Sequence, residues 1–253
     1  MTVILRWAGL VAEILLDRPE KRNALTPEML DSLGLVLAEI ASSDARVAVI
    51  RGAGDKAFCA GADITRFAGL SPELMWRDWT ARGHRVFDAL AALPQPTVAV
   101  VHGNAFGGGL ELALACDFRL LAPEVTLGLP EVGLGTVPGW GGTERLTQLV
   151  GPARAKEIIL SRRLVDADTA VAWGLATAVS GSLDAAVDEL VTRLTGGAPI
   201  AVQVAKQLID AAAAGAPARV LEPLAGALSS ATSDLAEGVA AFRERRDPVF
   251  TGH

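Results

Sequence analysis

Cysteine is scarce: Cys59 and Cys116 are the only two in 253 residues, and their separation fits neither a metal-binding nor a redox spacing. A reducing, cytoplasmic location is the simplest expectation from that usage. The signatures of zinc and serine hydrolases are missing as well. No His-Glu-x-x-His helix and no Gly-x-Ser-x-Gly elbow occurs, and His84 and His102 stand without a partner motif and read as structural. No lysine follows the glycine triplet at 107–109, which excludes a Walker loop, and the Gly-x-Gly-x-x-Gly spacing of a dinucleotide site cannot be aligned there. No run reaches the roughly 18 uncharged apolar residues of a spanning helix, so no membrane association is expected. The stretch Met1–Trp7 lacks the apolar region and small-residue cleavage site of a signal peptide. Positive charge is in deficit: 23 Lys and Arg against 29 Asp and Glu give a net charge of −6, which disfavours nucleic acid as the main partner. A local basic patch could still serve an anionic ligand. No metal and no redox cofactor is expected.

What is present is an alanine-rich chain, 51% hydrophobic and 21% charged, of a length suited to one large domain or a domain with a helical appendage. Val3 to Leu16 reads as a hairpin turning at Ala8-Gly9. Thr26-Pro27-Glu28 opens a helix, with Leu30, Leu33, Leu37 and Ile40 on one buried face. The apolar runs 46–52, 97–101 and 118–122 read as buried strands. Because they alternate with helical patterns, they imply βαβ units and a largely parallel sheet. Pro72 to Leu93 is helical, carries Trp76 and Trp79 among charges, and reads as a mobile cover. From Gly141 the pattern is helical, with segments near 141–150, 152–160, 167–173, 183–194, 200–214, 218–230 and 234–245. Residues 201–235 hold so few charges that more than one helix face must be buried, which predicts packing against a neighbouring subunit.

Three stretches carry candidate chemistry. Gly107-Gly108-Gly109-Leu110-Glu111 leads from a strand into a helix whose first N–H groups lack intrahelical partners. Leu129-Pro130-Glu131 runs into the glycines Gly133, Gly135 and Gly139. Ala60-Gly61-Ala62-Asp63-Ile64 looks like a helix start. Paired carboxylates can share a proton-transfer task, and bare backbone N–H groups can hold an oxygen that becomes negative. Plainer readings stay open: Glu111 as a helix-dipole complement, Glu131 as a solvated loop acid, Asp63 as a cap.

Taken together, these segments resemble the enoyl-CoA hydratase/isomerase (crotonase) superfamily. The resemblance is carried by Asp17–Leu25, Ala57–Ile64, Gly103–Asp117, Pro130–Thr143 and the tail Glu237–Phe250, in the family's order across nearly the whole chain. It implies an α/β fold, a spiral of ββα units over residues 1–195 carrying an acyl-CoA site. A C-terminal helical region, 196–253, would pack on neighbouring subunits in homotrimers or hexamers. It implies an acyl-CoA thioester as substrate, with coenzyme A part of the substrate and no separate cofactor. The oxyanion N–H groups fall on Ala62 and Gly108 and the acids on Glu111 and Glu131. The substrate-binding stretches fall on Arg22, Ala24, Ala60, Asp63, Ile64 and Gly139. Trp140 stands where the family pattern often has a smaller residue.

Two acids point to hydration of a trans-2-enoyl-CoA. Glu111, beside helix-end N–H groups, is expected to stay charged and act as base toward water, and Glu131, in a drier place, to donate to C2. The alternatives are a double-bond isomerase, another acyl-CoA-transforming member of the family, and, remotely, a non-catalytic acyl-CoA or RNA binder.

Overall fold

The hairpin forms as its pattern dictates: β1 (Val3–Ala8) and β2 (Val11–Leu16) pair antiparallel, and Gly9 takes the turn at φ 60°. The computed structural model describes residues 2–253; Met1, which opens the N-terminal stretch read above, lies outside them. Thr26 caps α1 (Pro27–Ala41) by accepting the N–H of Met29 at 3.3 Å, and Met29, Leu30, Leu33, Leu37 and Ile40 are buried along one face. Each such side chain contributes about 1.5–3 kcal/mol when removed from water, so this face fixes the helix to the sheet.

After α1 the chain repeats one pattern. A longer strand enters a large sheet, a short strand enters a small one, and a helix follows. The first turn is β3 (Val47–Gly52), β4 (Ala57–Cys59) and α2 (Ile64–Phe67). A helical excursion follows: α3 (Pro72–Leu74), a π-helical stretch over Met75–Thr80, and α4 (Ala81–Ala91). The second turn is β5 (Thr97–Val101), β6 (Asn104–Phe106) and α5 (Gly108–Leu114). The third is β7 (Phe118–Leu121), β8 (Thr126–Gly128), a 3-10 turn at Glu131–Leu134 and α6 (Gly142–Leu160). Then come β9 (Val165–Asp166), α7 (Ala167–Ala172), β10 (Ala178–Val179), α8 (Leu183–Thr195), α9 (Pro199–Ala213), α10 (Ala218–Ser230) and α11 (Ser233–Glu244).

The large sheet runs β1-β2-β3-β5-β7-β10 and is parallel from β2 onward; the small one runs β4-β6-β8-β9. Both faces of the large sheet's inner strands β3 and β5 are covered, which is why these read as continuous apolar runs. Ala48, Ile50, Ala99 and Val101 join the main core, and Val47, Val49, Val98 and Val100 pack under Val187 and Leu190 of α8. No helix of the described residues is long and apolar enough to cross a membrane.

Candidate active site

The loop 60–63 is held by main chain from the segment 22–25. Ala60 donates to the Arg22 carbonyl (2.9 Å), Leu25 to Gly61 (2.7 Å) and Asp63 to Leu25 (2.8 Å). Ala62 pairs with Leu25 as an isolated parallel bridge in which its two neighbours make the bonds. Its own N–H therefore faces the other way and has no acceptor among the described residues. It faces the start of α5: a Cβ on Gly108 would lie 3.4 Å from the Ala62 nitrogen. Gly108 is the first residue of α5, where an N–H has no intrahelical acceptor. Gly107 ahead of it takes φ 52°, ψ −128°, a conformation that a side chain opposes. Two free donors thus meet at one point, each supplied by backbone.

Asn23 braces this arrangement from beneath. Fully buried, it donates to the carbonyls of Ala53 (2.9 Å), Ala57 (3.0 Å) and Phe58 (3.2 Å) and accepts from the Arg18 N–H (3.0 Å). The Cys59 thiol donates to the Asn23 carbonyl at 3.1 Å, and burial pushes that thiol up to about 12.

Glu111 rises from α5 and is 2% exposed. Its Oε1 accepts from the N–H groups of Trp140 (2.8 Å) and Gly142 (2.9 Å), at the start of α6. The helix-end donors expected beside this acid are present, but they belong to the following helix rather than to its own. They do not keep the carboxyl in its ordinary range: burial raises the Glu111 pKa, with those N–H groups opposing it. The expectation that Glu111 stays charged rested on those donors, and burial works against them. Glu131 opens the 3-10 turn; its Oε2 is shut off from solvent without a hydrogen-bond partner. Burial pushes Glu131 up to about 7, and the Glu111 carboxylate adds to the rise.

Glu111, Glu131, Ala62 and Gly108 line a single cavity of about 120 Å³, together with Ala60, Ile64 and Gly139. The remaining residues expected to touch substrate stand elsewhere. Asp63 turns away to cap α2 and to pair with Arg18 at 2.7 Å; its pKa is lowered by the Thr65 hydroxyl and by Arg18. It positions the donor loop from behind, so its assignment as a substrate contact is corrected. Arg22 and Ala24 are not in the cavity wall, and Arg22 acts there through its carbonyl. Neither His84 nor His102 lines the cavity, and burial lowers the His102 pKa. Among the described residues no group of three or more His, Cys, Asp and Glu could hold a metal. Apolar wall residues that sequence reasoning had not singled out include Phe67, Met75 and Val137, and Trp79 of the segment read as a cover joins them.

A sequence model described as enoyl-CoA hydratase/isomerase matches residues 7–253. The chain belongs to the enoyl-CoA hydratase/isomerase family. Crotonyl-CoA hydratase of Syntrophomonas wolfei is 36% identical over 98% of this chain and 97% of its own length. The short-chain-enoyl-CoA hydratase of Clostridium acetobutylicum is 39% identical over 82% of this chain and 80% of its own. The crystal structure of an enoyl-CoA hydratase from Bacillus anthracis superposes with a TM-score of 0.95 at 36% identity, covering all of both chains. The spiral of ββα units is therefore the crotonase fold. Family membership makes this chain a crotonase-type acyl-CoA enzyme, and the cavity that holds the donor pair and the two acids is its candidate site.

Proposed function

We propose that the protein is an enoyl-CoA hydratase, adding water across the C2=C3 bond of a trans-2-enoyl-CoA to give a 3-hydroxyacyl-CoA. The observation that carries this reading is that a buried acid, Glu111, and a half-buried one, Glu131, share one cavity with two unoccupied backbone donors. The Ala62 and Gly108 N–H groups would polarise the thioester carbonyl and hold the enolate oxygen. One such donor is typically worth about 10²–10³ in rate. Glu111, with Oε1 already fixed by two N–H groups, would take a proton from water with its other oxygen as the hydroxyl adds to C3. Glu131, half protonated near neutrality, would deliver its proton to C2. The cycle leaves Glu111 protonated and Glu131 ionised, and a proton returns through the next water. Coenzyme A enters and leaves as part of the substrate, and the chemistry needs no other cofactor.

Homotrimers, or hexamers built from them, belong to the same reading. They are supported by the apolar C-terminal helices, of which α10 buries no residue within its own chain. Two buried free thiols support a cytoplasmic, reducing location.

Loss of the conjugated absorbance of crotonyl-CoA measures the reaction. Glu131→Gln and Glu111→Gln should each lower kcat by at least about 10² with CoA-ester binding largely kept. Activity of either variant within a few-fold of wild type would end its assigned role. Double-bond migration is the rival: it needs only one acid, and a 3-enoyl-CoA giving a conjugated product while crotonyl-CoA goes unhydrated would select it.

A further inference from the structure

One side of the cavity is built by a residue that the surrounding fold has to make room for. Trp140 is 2% exposed and packs against Trp79 and Phe87, each at a centroid distance of 5.4 Å. Two glycines leave the space its ring occupies. A Cβ on Gly108 would fall 2.4 Å from the indole Cζ3, and a Cβ on Gly83, in α4, 2.1 Å from the indole Nε1. The obstacle is a rigid fused ring wedged between two other aromatics, so neither clash could be relieved by swinging a chain end aside. Glycine inside a helix is disfavoured relative to alanine. Its presence at 83 is explained by the ring it admits.

The volume left over is small. It comes to about 120 Å³, bounded on its apolar side by aromatic rings. An acyl group whose oxygen meets the Ala62 and Gly108 N–H groups, with the acids beside C2 and C3, has little room for further carbons. Phe67, Met75 and Trp79 bound the other apolar sides. We infer that Trp140 is the wall that ends the acyl subsite and restricts the enzyme to short acyl thioesters, about the size of a four-carbon chain. The inference rests on the acyl-CoA reading of this cavity and adds the substrate class. The same residue also holds Glu111 through its N–H, which every side-chain substitution at 140 retains.

The test uses the full chain and two ladders of CoA esters from four to ten carbons. Saturated esters are followed by calorimetric binding and 2-enoyl esters by kcat/KM. A methylene that does not fit is worth on the order of 10-fold. Wild type should therefore bind butyryl-CoA at least about 10-fold more tightly than decanoyl-CoA. Trp140→Ala and the milder Trp140→Leu should raise the decanoyl-to-butyryl ratio by about 10-fold or more in both ladders. Gly83→Ala should weaken butyryl-CoA binding in wild type and have no further effect on top of Trp140→Ala. Equal affinity of wild type for short and long esters overturns the inference, as does an unchanged ratio in folded Trp140 variants. If both truncations fail to fold, the wild-type ladder and Gly83→Ala decide it. Binding that follows the predicted ladder without hydration of any ester would overturn the proposed reaction and keep the short subsite. No binding of any acyl-CoA would overturn both.

Discussion

Glu111 and Glu131 are the same residue type in one cavity, yet their settings differ. Glu111 has two main-chain donors on one oxygen, whereas Glu131 has an oxygen with no partner at all. Burial brings the second acid to about 7 and raises the first as well, against its two donors. Its titration has a sign that can be followed in two ways. If protonated Glu131 supplies the proton to C2, hydration falls as pH rises through about 7, and Glu131→Gln has no such alkaline limb in its residual rate. In the ligand-free protein the native state holds a proton on Glu131 that the unfolded chain releases near 4.5, so folding stability declines as pH rises from about 4.5 to about 7. Denaturant titrations across that window should show a shallower slope for Glu131→Gln. An equal slope would mean that Glu131 is not buried in its neutral form. Both acids were legible in the sequence because glycine-rich turns flank them. The Trp140 and Gly142 N–H groups that hold Glu111 were not, because a main-chain donor leaves no trace in residue identity. Asp63 misled for the opposite reason: a motif acid beside a donor loop looks like a contact, while its ion pair is with Arg18, 45 positions away; its local cap on the Thr65 N–H was among the readings the sequence left open.

Element by element, the longer strands and helices follow their hydrophobic periods, and the break in α6 falls at Gly151, φ 77°, where the sequence pattern divides 141–150 from 152–160. The small sheet escaped notice. Its strands β4, β6, β8 and β9 are two or three residues long, too short to show alternation, and their pairing partners lie far apart in sequence. The tryptophans of the helical excursion also diverge from a regular pattern: Trp79 is 6% exposed and Trp76 69%. The π-helical winding of Met75–Thr80 turns the first toward the cavity and leaves the second in solvent. At the start of α5, Gly107→Ala should be damaging for two reasons. Its backbone resists a side chain, at a cost of about 1–3 kcal/mol, and its new Cβ would lie 3.1 Å from Glu131 Oε1. The expected result is a lower Tm together with a kcat loss larger than that loss of stability explains at assay temperature. Unchanged turnover in a folded variant would show that the turn need not be held in this form.

For the whole molecule, the C-terminal helices pose the main question. Leu224 and Leu228 of α10 and Phe242 of α11 are 66%, 55% and 86% exposed, an apolar surface that a lone protomer leaves in water. Association would cover it, which is the basis of the trimer or hexamer proposal. Sedimentation velocity should give a mass of three or six chains, with thermal stability rising with protein concentration. Leu224→Asp or Phe242→Asp should shift the protein toward monomer. A monodisperse monomer in wild type at micromolar concentration would remove the proposal. The surplus of apolar residues over charges in 201–235 was readable from composition; which face stays bare depended on how α10 lies against α9.

Because the electrophilic half of the proposed site consists of amide hydrogens at positions 62 and 108, no genetic substitution can delete it directly. Residue changes there are limited by bulk alone, and in the proposed reaction activation of the acyl group is a property of the path the chain takes. Swapping either amide for an ester linkage by chemical synthesis would remove one hydrogen and leave every side chain in place, an edit aimed at the peptide bond itself.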